Sequence, residues 1–215
     1  MKNVRLFYKK TGAARFISHL DTMRAMTRLL RRAALPVWYT EGFNPHLYVT
    51  FAMPLTLGFS SVYELADIRL TDDSFPLVDI CERLNSHAPE GFYFFDAREP
   101  QNKLSALSFA AFSVTFDDGG ALKERLENFL DSSEINVEKK TKRGDVKSIN
   151  VAPDIKEYSI ASDGGTKLDI TLPAGPEKSI NPELIINKFL SDTDPECFFS
   201  VTRTALLDKS GEPLK

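Results

Sequence analysis

The sequence predicts an α+β fold of two ferredoxin-like halves in tandem, βαββαβ twice, with antiparallel sheets and helices on one face. Three observations predict it. Strand-length alternating segments and helical segments follow one another in two passes of similar layout. A stretch at 101–105 carries neither rhythm and separates the passes, giving halves of 1–100 and 101–215. Sixteen Phe against one Trp, within 42% hydrophobic residues, suit two modest cores lined with medium-sized rings.

The elements follow in order. Val4–Lys9 alternates apolar and polar residues as a strand does, and a loop with Thr11-Gly12 precedes Ser18 and a helix running to about Ala34. Pro36 closes that helix, because the residue before a proline avoids the helical region. Val37–Tyr39 and Leu47–Ala52 read as strands around the segment 41–46, Tyr63–Leu70 as another, Phe75–Ser86 as a short amphipathic helix, and Gly91–Asp96 as the last strand of the pass. The second pass has a strand at Phe109–Phe116, a helix at Ala121–Leu130, a strand from Glu134 to Lys140 and a turn at Lys139–Gly144. One or two strands then cover 149–160, with a strand at Lys167–Leu172, a helix from near Pro182 and a final strand at Phe198–Ala205.

Composition narrows the function. No apolar run approaches the roughly 20 residues of a spanning helix, and charges at Lys2, Arg5, Lys9, Lys10 and Arg15 leave no signal-peptide core, so a cytoplasmic protein without membrane contact is expected. Cys81 and Cys197 stand far apart among apolar neighbours and read as buried reduced thiols. The net charge of −3 conceals a polarity: residues 1–70 hold ten Lys/Arg against four Asp/Glu, a net of +6, leaving −9 for the remainder. A polyanion would land on the basic end.

In the first helix Ser18 precedes Asp21 by three positions, a capping-box spacing. Met23, Met26, Thr27, Leu30 and Ala34 fall on one side at 3.6-residue periodicity, and Arg24, Arg28, Arg31 and Arg32 on the other. A solvated helix face ordinarily mixes signs. Two readings of the stripe stand: a solvated face paired with the acidic second half, or a surface for phosphate or an acidic partner. The uniform choice of arginine, whose planar fork grips phosphate bidentately, favours the second.

Two of the three histidines flank this region. His19 lies in Arg15-Phe16-Ile17-Ser18-His19-Leu20-Asp21, and His46 ends Glu41-Gly42-Phe43-Asn44-Pro45-His46. Histidine serves as acid, base or ligand near neutrality, and it also caps and packs. Gly42 and the Asn44-Pro45 bond suit a loop presenting Phe43, Asn44 and His46 in a defined geometry. His19, Asp21, Asn44 and His46 are expected to converge. A metal held by His19, Asp21, Glu41 and His46 is the weaker reading, since the ligands mix and the spacing is loose; no metal and no cofactor are expected. His87, before Ala-Pro-Glu-Gly, suits a helix C-terminus.

The run Arg-Phe-Ile-Ser-His-Leu-Asp, the Leu-Leu-Arg-Arg-Ala helix end with Leu-Pro after it, and Glu-Gly-Phe-Asn-Pro-His before a Phe-Ala strand resemble the radical-SAM-linked protein family. That family is a bacterial domain of unknown function, found alone or fused behind a radical S-adenosylmethionine enzyme and often encoded beside ribosomal proteins and a ribonuclease. The resemblance covers residues 3–70 and runs on through Gly58, Ser61, Glu64 and Asp67; the family form has Gln at Glu41 and often Gly at Ala34. It implies a context rather than a reaction. With two cysteines the chain cannot hold a cluster that needs three closely spaced ones, so any radical chemistry belongs to a separate enzyme.

The function expected is a non-catalytic accessory or substrate-binding module, RNA-binding, working with a separate radical S-adenosylmethionine enzyme on RNA or ribosome-related modification. No DNA target is expected. The binding surface comprises Arg15, His19, Asp21, Arg24, Arg28, Arg31, Arg32, Glu41, Phe43, Asn44 and His46, with Phe7, Tyr8, Trp38, Tyr39 and Phe43 as candidate stacking rings. One alternative is a metal-independent RNA-processing enzyme using His19 and His46 as acid and base. The other is a protein-only adaptor whose acidic half, including Asp117-Asp118 and 192–194, meets a basic partner.

Overall fold

The computed structural model describes residues 1–140, 146–162 and 164–215. It is mixed α/β, with four α-helices among the described residues. The chain divides into two units, Met1–Leu107 with Asp208–Lys215, and Ser108–Leu207.

The first unit contains β1 (Lys2–Lys10), α1 (His19–Arg32), β2 (Val49–Phe51), β3 (Ser60–Leu70), α2 (Val78–Asn85) and β4 (Phe92–Arg98). Its strands are antiparallel in the order β4-β1-β3-β2. The register Val4↔Ile68 and Leu6↔Ala66 aligns the apolar positions of neighbouring strands on one face. There Val4, Leu6, Tyr8, Ala66, Ile68 and Phe94 pack with Met26, Leu29 and Leu30 of α1 and Ile80 and Leu84 of α2. The alternate positions, Asn3, Arg5 and Phe7 on β1 and Asp67 and Arg69 on β3, fall on the other face.

Local chemistry sets the limits of α1. Ser18 caps its start, accepting from the Asp21 amide at 3.1 Å. At its end Ala34 has φ +50°, Leu35 N donates to Leu30 O at 3.3 Å and Ala34 N to Arg31 O at 3.1 Å. These two bonds form a Schellman motif, and the accompanying apolar contact falls on the buried Leu30 and Leu35.

The second unit contains β5 (Phe109–Phe116), α3 (Lys123–Leu130), β6 (Asn136–Lys140), β7 (Val146–Asn150), β8 (Glu157–Ser162), β9 (Thr166–Pro173), α4 (Pro182–Thr193) and β10 (Phe199–Leu207). Its main sheet runs β10-β5-β9-β8, also antiparallel, and β6-β7 form a separate two-stranded ladder. Phe116 meets Phe189 of α4 edge-on, centroids 6.3 Å apart, and Leu126, Leu168 and Ile185 are buried in the same unit. The turn expected at Lys139–Gly144 extends beyond the described residues.

Several expectations change. The buried stripe of α1 is Thr22, Met26, Leu29 and Leu30; Met23 is exposed and Leu29 is not. Thr22 tolerates burial because its hydroxyl donates to Ser18 O at 2.9 Å. Arg5 and Lys10, counted with the basic surface, are buried, Lys10 Nζ donating to Ile17 O at 2.9 Å. Glu64 is buried as well and Asp67 pairs with Arg5, so two cations and two anions leave the surface and its net of +6 stands. Residues 101–105 are not an open linker: Leu104–Ala106 form a 3-10 turn and Asn102 docks on Arg5. Cys81 and Cys197 are half-buried rather than enclosed, and burial raises the pKa of both thiols. Asp118 is no free acidic contact, for it organises the turn between β5 and α3.

Candidate functional site

The exposed arginines begin at the cap of α1. Ser18 Oγ donates to Asp21 Oδ2 at 2.8 Å, and Arg24 Nη1 reaches Asp21 Oδ1 at 3.1 Å. These bonds, the Ser18 one foremost, hold the Asp21 carboxyl below its ordinary pKa. Arg28, Arg31 and Arg32 are exposed along the following turns and form no ion pair among the described residues. Arg31 Nε donates to the Tyr39 hydroxyl at 3.1 Å, with its guanidinium 5.8 Å from the Tyr39 ring centroid. Four arginines with a single acid among them leave the face strongly cationic.

Tyr39 opens the adjoining hairpin, where Tyr39 bridges Leu47 and Tyr48 N donates to Trp38 O at 2.9 Å. Its tip, Glu41 to His46, is wholly exposed, and Gly42 at φ +119° makes the bend. Phe43 is fully exposed at 106% and Tyr39 is 44% exposed. The His46 ring braces the tip: Nδ1 lies 3.0 Å from Asn44 O and 3.1 Å from Thr40 Oγ1, while His46 N donates to Thr40 Oγ1 at 3.2 Å. A carbonyl only accepts, so in the bond to Asn44 the Nδ1 carries the proton.

His19 has another setting. Half-buried, it meets Phe51 edge-on at 5.5 Å and lines a cavity of about 10 Å³ with Tyr8, Lys10, Thr22, Met53, Leu55 and Glu64. Such a space holds about one water. Arg15 stacks its guanidinium 4.6 Å from the Phe16 centroid, and its carbonyl accepts from Gly58 N at 2.9 Å.

The contacts therefore join Ser18, Asp21 and Arg24; Arg31 and Tyr39; Thr40, Asn44 and His46; and His19 with the interior cavity. Of the candidate rings, Phe7 and Tyr8 are buried, Trp38 is half-buried, and Tyr39 and Phe43 are presented to solvent. His87 ends α2 as expected, Nδ1 lying 3.1 Å from Arg83 O. Among the described residues no group of three or more His, Cys, Asp or Glu is placed to hold a metal ion. No helix there is long and apolar enough to cross a membrane. Sequence reasoning passed over Arg69 and Tyr48, although Tyr48 and Trp38 flank the loop as a cross-strand pair would.

Residues 3–182 match the model of a family described as uncharacterized protein conserved in bacteria (DUF2344). No curated protein matches the sequence. Among solved structures, a chain of "Crystal Structure of a Cbf5-Nop10-Gar1 Complex" superposes with a TM-score of 0.53 at 8% identity over 94% of this chain. The alignment covers 48% of that chain, so this protein spans about half its length, and the likeness is one of fold.

Proposed function

We propose that this chain, which belongs to that family of uncharacterized proteins conserved in bacteria, is a non-catalytic RNA-binding module. The observation that carries the reading is the exposure of Tyr39 against Arg31 of α1, with Phe43 exposed on the loop that Tyr39 opens. Arginines neutralise backbone phosphates, and exposed rings stack bases of any sequence, so together they suit single-stranded RNA. On this reading Arg24, Arg28, Arg31 and Arg32 track the phosphates. Phe43 and Tyr39 take bases, and Glu41, Asn44 and His46 offer polar groups to their edges. Arg15, His19 and Asp21 border that surface.

The fold reading that goes with it is tandem ferredoxin-like. The orders β4-β1-β3-β2 and β10-β5-β9-β8, with one helix after the first strand and one before the last, support it. A separate radical S-adenosylmethionine enzyme as partner in RNA or ribosome-related modification rests on the resemblance of the amino-terminal motif alone.

Catalysis by His19 and His46 would need both imidazoles at one phosphate. One lines an interior cavity and the other braces an exposed loop, and that contrast favours binding over cleavage. A protein-only adaptor is favoured by a different feature. Leu20 and Met23 are exposed three apart in the first turns of α1, and Phe16, which ends the 3-10 turn before the helix, is exposed as well.

The test is a fluorescence anisotropy titration of labelled single-stranded ribosomal and transfer RNA fragments at several salt concentrations. Three phosphate contacts predict a log–log slope of about −2. Replacing Arg28 and Arg31 together by Ala should flatten it with the fold intact. Absence of salt-sensitive binding by the folded wild type overturns the RNA reading in favour of the adaptor.

A further inference from the structure

The alternation of β3 buries Ile68 and Leu70 against the helices and sends Arg69 to the opposite face. There its guanidinium lies over two rings, 5.1 Å from the Trp38 centroid and 4.9 Å from that of Tyr48. Its Nε donates to Oδ1 of Asn3, the residue paired with it on β1, at 3.1 Å. Among the described residues that is the only hydrogen bond of the side chain, which makes no ion pair. Two rings and one hydrogen bond thus hold the fork in place with both Nη groups unused.

This fork lines a bowl of about 440 Å³ with Asn3, Tyr48, Thr50, Asp67 and Lys103 among its walls. Lys103 makes no ion pair among the described residues either. Asp67, the one acid in the wall, has both oxygens taken by the buried Arg5, at 2.7 and 2.8 Å, so its charge is compensated. The bowl is therefore cationic, with hydroxyl and amide donors from Thr50, Asn3 and Gln101 around the fork.

We propose that this bowl is a nucleotide site in which Arg69 holds the phosphate. A pre-placed fork loses little freedom on binding, and its paired N–H groups match two phosphate oxygens. The remaining oxygens are met by Lys103 and the neutral donors. The volume exceeds what a bare phosphate needs and lies within the range of small-ligand pockets, which leaves room for the sugar and base. The site sits on the sheet face, whereas the arginine stripe sits on a helix, and it stands or falls separately from the RNA reading.

Trp38 is the only tryptophan of the chain, so its fluorescence reports this site. The experiment titrates uridine 5′-monophosphate, uridine and inorganic phosphate against the full chain. The nucleotide should change the emission saturably, uridine should not bind, and inorganic phosphate should bind more weakly than the nucleotide. Arg69→Lys, which loses the fork, should weaken nucleotide binding by about tenfold or more, the scale of one charge-assisted hydrogen bond. Lys103→Gln, which leaves the Arg69 stack untouched, should weaken it several-fold and guards against a misfolded Arg69 variant. A mononucleotide is too short to span the arginines of α1, so this result and that of the RNA titration are independent. No saturable response, uridine or inorganic phosphate binding as tightly as the nucleotide, or undiminished binding by both variants overturns the proposal.

Discussion

Arg5 and Asp67 face each other across β1 and β3 as a forked ion pair, Nε to Oδ1 at 2.7 Å and Nη2 to Oδ2 at 2.8 Å, with the Arg5 side chain wholly buried. The other three N–H groups go to Asn102 Oδ1 at 2.9 Å, Asn102 O at 2.9 Å and the main-chain oxygen of Lys215 at 3.0 Å. All five donors of the guanidinium are used. One side chain thus ties the strand pair to the segment after β4 and to residues 208–215.

Arg5→Met should therefore destabilise the first unit by roughly 3–5 kcal/mol, because it strands a partly buried carboxylate and three further acceptors. Adding Asp67→Leu should recover a large part of that loss, since an apolar pair of similar volume carries no uncompensated charge. Urea unfolding followed by Trp38 fluorescence reads this unit. An unchanged midpoint in Arg5→Met would sink the assignment of the pair as its polar clasp.

At the end of α1, Ala34 is the one non-glycine residue at positive φ among the described residues. A side chain in that region costs about 1–2 kcal/mol, partly offset by the greater unfolded freedom of glycine. Ala34→Gly should raise stability by roughly 0.5–1 kcal/mol, seen as a higher urea midpoint with the same slope. A lower midpoint would show that the Schellman geometry is not under strain.

Asp118 predicts an acid dependence in the second unit. Burial pushes its pKa up, but bonds from Thr166 Oγ1 (2.6 Å) and Thr166 N (2.7 Å), and from the amides of Leu122 and Gly120, outweigh that and bring it down to about 2. A folded pKa below the unfolded value of about 3.9 means stability that is full above that value and is lost as pH falls toward 2. Asp118→Asn should be less stable at neutral pH and show a shallower loss between about pH 4 and 2. Acid titration of β5 and β9 amide resonances measures it, and parallel acid profiles for the two proteins would refute the assignment.

Phe43 projects fully into solvent from a loop braced by His46, so it contributes little to folding. If it stacks a base, Phe43→Ala should weaken single-stranded RNA binding by about 1–3 kcal/mol while leaving the salt slope unchanged. The anisotropy titration separates the two effects. A change in slope without a uniform loss of affinity would place Phe43 outside the RNA path.

Much of the element order was legible because it is local. Alternation in Phe109–Phe116 matches β5 residue for residue, Ser18 with Asp21 marks the cap of α1, and Pro182 stands at the first position of α4. The arginine stripe was legible for the same reason, since a helical period places residues on faces without reference to anything else. The face buried was less so. Choosing Leu29 over Met23 depends on which side the sheet approaches, and Thr22 enters the core only because Ser18 O is within reach.

Register was beyond local reading. That Arg5 stands opposite Asp67 and Asn3 opposite Arg69 depends on how β1 slides along β3, where a shift of one residue would exchange the faces of every side chain. Only that pairing turns Arg5 from an apparent surface cation into an interior clasp, and the hairpin's own pairing with β3, Trp38 N donating to Arg69 O at 2.7 Å and Val49 standing opposite Ile68, brings Trp38 and Tyr48 to Arg69. The loop offers a parallel: Gly42, Asn44 and His46 announce a shaped turn, yet the bracing of His46 by Thr40 requires the strands on either side to meet. Periodicity and capping are properties of neighbours in the chain and can be read along it, whereas the burial of a charge depends on partners brought from far away and exists only once the strands have paired.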